Sequence, residues 1–182
     1  MKYAYQRLFL FAIGAFALFS CQNQTPAPST PPADDRVVLD TFADLQILRY
    51  ELPGWDQLDI RQKTFIYYLS EAALAGRDII YDQHCKHNLA VRKTIEAIYN
   101  TYSGDRTTAD WQAFEVYAKR VWFSSGIHHH YNETKFIPGF SEAYFAELVK
   151  NSKPEALPLS STEDAAALVA KLSPVLFDPT VL

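Results

Sequence analysis

Only two cysteines and six glycines occur in this chain of 182 residues. The cysteines, Cys21 and Cys85, lie far apart in sequence, and with Cys21 acylated, as read below, one thiol is left, so no disulfide framework can be drawn and the fold must rest on packing. The glycines form no phosphate-cradling loop and no dinucleotide fingerprint. No Gly-x-Ser-x-Gly elbow frames a nucleophile, and no His-Glu-x-x-His supplies a zinc pair with its base. Lys and Arg are scattered and the net charge is −4, which excludes the basic footprint of a nucleic-acid binder. Long hydrophobic runs are also missing. The longest, Leu8 to Phe19, holds 12 apolar or small residues. As a helix it would span about 18 Å, short of a bilayer core of about 30 Å.

That run has another meaning. Lys2 and Arg7 precede it and Ser20-Cys21 follows it, the order of a signal peptide over residues 1–20. Leu18-Phe19-Ser20-Cys21 resembles a bacterial lipobox, with Phe19 bulkier than usual. The resemblance implies cleavage before Cys21 and lipidation of its thiol; an ordinary secretory signal is the alternative. Residues 21–35 then form the anchor and its tether. "QNQTPAPSTPPADD" carries four prolines and almost no apolar bulk. At about 3 Å per residue it would hold the rest of the chain roughly 40 Å from a membrane. The folded part is expected over 36–182, roughly 145 residues, enough for one core.

The apolar spacing predicts a mainly helical fold with one possible short strand near 42–50. There "FADLQILRY" alternates and then breaks at Leu48, readable as strand or short helix, with the strand favoured. Asp59 is placed to cap a helix from Ile60 to about Ala75, with Ile66, Leu69 and Ala73 on one face. Asn88 is placed to cap a second, stepping through Val91, Ile95, Ile98 and Tyr102. Thr107 or Thr108 opens a third, with Trp111, Phe114, Ala118, Val121 and Trp122 as its stripe, ending near Ser124-Ser125-Gly126. Ser141 can cap a short helix to Lys150. Ser161 to Asp164 resembles a capping box before Ala165, Leu168 and Leu172. The last ten residues, "SPVLFDPTVL", read as an extended apolar segment of the kind that expects more chain.

The densest stretch is "FSSGIHHHYNETKFIPGF", Phe123 to Phe140. Its three histidines suggest metal, but consecutive helical residues point about 100° apart and cannot converge. On a strand, His128 and His130 share one face while His129 opposes them. His84-Cys85-x-His87 is the other ligand-type cluster, and a turn between two helices is its expected place. A small metal site using His84, His87 and the triple histidine is the weakest of the candidate chemistries. Read as a loop, the stretch makes better sense. Gly126 lets the chain leave the helix with positive φ, Pro138-Gly139 turns it, and Phe136, Ile137 and Phe140 anchor it. Tyr131 then either offers an aromatic face with a hydroxyl tip to a ligand or packs the domain.

"FADLQILRYELPGW", "LSEAALAGRDIIYDQ", "EVYAKRVWFSSGIHHHY" and "TKFIPGF" together resemble the N-terminal region of the dipeptidyl-peptidase III family, in its bacterial branch from Bacteroides-like organisms. The resemblance runs from Phe42 to Phe140 and extends to "LSPVLFDP", Leu172 to Pro179. It implies a two-lobed zinc exopeptidase that releases dipeptides from oligopeptide N-termini. Zinc would be held on one lobe through His-Glu-x-x-Gly-His and a later Glu. This chain would be the N-terminal helical part of the other, lower lobe. The resemblance places the loop 126–136 at the border of the substrate cleft and makes Tyr131, with His130 before it, the substrate-binding residues. Two positions depart from the pattern: Ser125 stands where Asn is common and Asn132 where Gly is usual. Neither the zinc motif nor its downstream Glu occurs here. The expectation is therefore an exported, periplasm-facing lipoprotein anchored at Cys21, with no catalytic residue and no metal ligand of its own. It would supply cleft wall and subsite to a zinc enzyme of which it is a part. The alternative is a stand-alone helical lipoprotein that binds a peptide or protein partner.

Overall fold

The computed structural model describes residues 37–181. The expectations for the signal peptide, Cys21 and the tether lie outside the described residues. Those described are mainly helical, with one two-stranded antiparallel sheet and six α-helices.

The sheet is a hairpin. Strand β1, Val38–Phe42, pairs with β2, Leu45–Leu48, with Phe42 opposite Leu45 and Val38 opposite Leu48. The expected strand is thus the second arm; its partner lies just upstream, where "VLDTF" lacks a clean alternation. Phe42 is the hairpin's buried anchor and meets Phe123 edge-on at 6.4 Å.

Helix α1, Ile60–Gly76, starts at a reciprocal cap. Asp59 accepts from the Gln62 amide at 2.8 Å, and the Gln62 side chain accepts from the Asp59 amide at 2.9 Å. Helix α2, Asp78–His84, follows after Arg77 and ends before the Cys85-Lys86-His87 turn, as expected of that cluster. Its Tyr81 is buried under the Arg92 guanidinium, 5.0 Å from the ring centre. Arg92 also pairs with Asp78 and, at 2.8 Å, with Glu96, tying α2 to the next helix.

Helices α3, Asn88–Thr101, and α4, Ala109–Ser124, bury the predicted stripes. Val91, Ile95 and Ile98 come from the first; Trp111, Phe114, Ala118 and Val121 come from the second. Side chains of this size contribute about 1.5–3 kcal/mol each when removed from water. Trp111 stacks on Tyr102 with ring centres 5.3 Å apart. Thr108 is the cap of α4, its hydroxyl accepting from the Trp111 amide at 3.1 Å. Helix α5, Glu142–Lys150, is capped by Ser141 as expected and buries Phe145, Leu148 and Val149.

Three local expectations need correction. Asn88 is not a cap: His87 takes that position, and the Asn88 side chain turns inward to a partner in the loop after α4. The box from Ser161 does not form. Asp164 itself caps α6, Ala165–Phe177, accepting from the Ala167 amide at 2.7 Å, while Glu163 pairs with Lys171. Finally, residues 173–177 are helix, with Pro174 inside α6. The missing Pro174 amide costs one helical bond. Burial of Val175 and Leu176 on the core offsets it.

Candidate functional site: a histidine-lined cleft

The loop after α4 is built from its base outwards. Helix α4 stops because Ser125 turns left-handed, with φ 54°, and Gly126 follows at φ 157°. Sequence reasoning gave the left-handed exit to Gly126; Ser125 takes it first. Gly126 is needed for a second reason. An added Cβ would stand 2.2 Å from Asn88 Nδ2. The fully buried Asn88 accepts from the Ile127 amide at 3.0 Å, so it fixes where the loop leaves the core. Nothing local marks Asn88 for this role, since its partner lies 39 residues on.

From there the chain doubles back on itself. The Phe136 amide donates to the Ile127 carbonyl at 2.8 Å, and the His129 amide to Thr134 at 2.8 Å. His128 and Lys135 form an isolated antiparallel bridge. Ile127 and Phe136 are buried and hold the base, with the Arg120 guanidinium 5.0 Å over the Phe136 ring. At the tip, Asn132 closes an Asx turn, its side chain accepting from the Thr134 amide at 2.8 Å. That hydrogen bond, not a positive φ, is the use made of Asn where Gly was expected; Asn132 takes no left-handed conformation. Lys135 ties the returning arm to the end of α6 and beyond, donating to the carbonyls of Asp178 at 2.6 Å and Val181 at 2.7 Å.

The three histidines do not alternate as on a strand, because the chain turns right after the bridge at His128. His128 is buried, 9% exposed, and its Nε2 has no partner among the described residues. His129 and His130 instead stack on each other with ring centres 4.4 Å apart. His130 also meets Phe123 edge-on at 5.2 Å and Tyr131 at 4.2 Å. Tyr131 itself is 86% exposed, so it does not pack the domain.

Facing this loop is the turn between α2 and α3. Together, residues 84–86 and 128–133 line a cleft of about 810 Å³. Both sequence-selected residues, His130 and Tyr131, are on its wall. A second concavity, of about 770 Å³, adjoins the same loop and includes Asp44, Gln112 and Arg120. Burial is the first cause holding the His128 imidazole below its ordinary value, with the Lys135 and His84 charges adding to it. Burial likewise depresses His87, helped by Lys86. The Lys135 ammonium is held down by burial too.

The cleft gathers His84, Cys85 and His128, yet among the described residues no group of three or more His, Cys, Asp or Glu is arranged to hold a metal ion. The zinc implied by the family resemblance therefore has no fitting ligand set in the described part of this chain. What the wall does offer is stacked rings, an exposed phenol, the Lys86 ammonium and the Glu133 carboxylate, groups suited to holding a polar chain with an apolar side group. Among the described residues no helix is long and apolar enough to cross a membrane. Compared with known proteins, the chain matches no family model and no curated sequence.

Proposed function

We propose that this chain is the N-terminal part of a dipeptidyl-peptidase III-like exopeptidase, exported and lipid-anchored at Cys21, and that it forms a wall of the peptide cleft. Tyr131 and His130 contact the substrate; the bond-breaking chemistry belongs to residues this chain does not carry. The observation that carries the reading is Tyr131: a large aromatic 86% exposed at the edge of a cleft, on a loop whose base is buried. Exposing such a ring on an anchored support favours a ligand contact. It also fits the family resemblance of the four sequence stretches, which makes the same residue a substrate contact.

The part-of-a-larger-enzyme reading is favoured over a stand-alone lipoprotein by α1. Its Ile60, Phe65, Tyr67, Tyr68, Leu69 and Leu74 are each more than half exposed. At 100° per residue these positions cover an arc of about 220°, and an apolar face this wide is normally buried.

Two measurements test the proposal. Calorimetric titration of the purified chain with oligopeptides should show binding that weakens at least tenfold in Tyr131→Ala; equal affinity in the variant removes Tyr131 from the contact. The zinc-loaded chain should not cleave dipeptidyl-naphthylamide substrates, and cleavage would refute the assigned division of labour. Reading the coding DNA beyond Leu182 for His-Glu-x-x-Gly-His adds a direct check.

A further inference from the structure

We propose that His128 is an acid-sensitive latch: a proton gained there releases the loop 128–135, and with it Tyr131 and His130, from the cleft wall. The inference is independent of which ligand the cleft takes.

The geometry is that of a ring placed where a cation is disfavoured. His128 is 9% exposed and its Nε2 has no acceptor among the described residues. An imidazolium needs acceptors for both ring N–H groups, whereas neutral imidazole needs one fewer. The nearest charges make the case stronger. Lys135 sits across the bridge from His128, on the returning arm. Its ammonium is fixed by the carbonyls of Asp178 and Val181, so it stays near His128 while the loop is closed. His84, at the end of α2, adds to the disfavour when charged. Glu133, on the loop itself, acts the other way and is the weakest of these influences. Burial heads them all and holds the closed-state pKa below the ordinary 6.5.

The loop has few bonds to lose. Above the base held by buried Ile127 and Phe136, its closed form rests on the His129 to Thr134 backbone bond and the Lys135 tie. Opening exposes His128 to water, where it can be charged. Well above pH 6.5 both forms are neutral at His128 and the closed state keeps its full advantage. As pH falls through 6.5 the open form gains protons that the closed form refuses. The opening equilibrium then rises by up to about tenfold per pH unit, until the pH reaches the depressed closed-state pKa. Local opening of this kind belongs to segments with few protected contacts.

An NMR titration of the isotope-labelled protein from pH 8 to pH 4.5 decides it. The His128 Cε1–H resonance should titrate below 6.5, and the amides of His129 and Lys135 should shift to their open positions over the same range. Core amides such as that of Phe114 should stay put. In His128→Asn the loop amides should no longer respond, while His130→Gln should leave the response in place. The proposal is wrong if His128 titrates at or above 6.5, or if the loop stays closed while His128 titrates. It is equally wrong if the core moves with the loop, or if His130→Gln rather than His128→Asn abolishes the response. Should His128→Asn fail to fold, the wild-type titration together with His130→Gln still separates these outcomes.

Discussion

Gly126 and Asn88 meet so closely that each sets what the other can be. A methyl group at Gly126 would lie 2.2 Å from Asn88 Nδ2 and 2.7 Å from its Cγ, and Asn88 is fully buried with nowhere to retreat. Gly126→Ala should therefore cost about 1–3 kcal/mol through overpacking. Asn88→Ala removes the acceptor of the buried Ile127 amide and should also cost about 1–3 kcal/mol. The two losses should not add. With Asn88 shortened, the methyl finds room, so the double variant should be less destabilised than the sum by about 1 kcal/mol or more. Urea unfolding of the four proteins gives the cycle, and strict additivity would show that the clash is relieved some other way. Neither residue advertises this in sequence. Gly126 is legible as a helix stop and Asn88 as a helix start, and both readings are local. Their contact depends on α3 and α4 lying side by side, which no spacing within either helix encodes.

At the level of elements, what was legible followed from amphipathicity. Helices α3, α4 and α5 have one apolar stripe each, and those stripes form the core. The hairpin was half legible, because Leu45 and Ile47 alternate with polar residues while β1 does not. Its attachment was not legible at all. It sits on α4 through Phe42 against Phe123, with Asp40 to Lys119 and Asp44 to Arg120 at 2.6 Å each. The ion pairs are exposed and add little. Phe42 is the anchor, so Phe42→Ala should cost about 3 kcal/mol locally. Amide hydrogen exchange should then speed up across residues 38–48, while α3 and α4 keep their protection. Uniform acceleration across the helices would mean that the hairpin and the core unfold as one unit.

For the whole described molecule, the decisive asymmetry is between α4, almost wholly satisfied, and α1, almost wholly bare. Sequence reasoning placed Ile66, Leu69 and Ala73 on one apolar face of α1. Of these, Ile66 lines a concavity with Leu52 and Trp55, while Leu69 is half exposed. The helix begins at a sound cap, so its termini are not what leaves it exposed. Among the described residues no element covers its apolar face. Ile79 and Ile80, just beyond it, are also more than half exposed and enlarge the patch. Patches of more than a few hundred Å² mark a surface that seeks a partner or promotes aggregation. The isolated chain should thus bind an apolar-surface dye in its native state and associate with rising concentration. Phe65→Gln with Leu69→Gln should reduce both, yet shift stability by no more than about 0.5 kcal/mol, as for exposed sites. Sedimentation and urea unfolding read the two effects separately. A loss above about 2 kcal/mol would show that α1 is packed within the chain itself, and the argument for a larger enzyme drawn from this helix would fall with it.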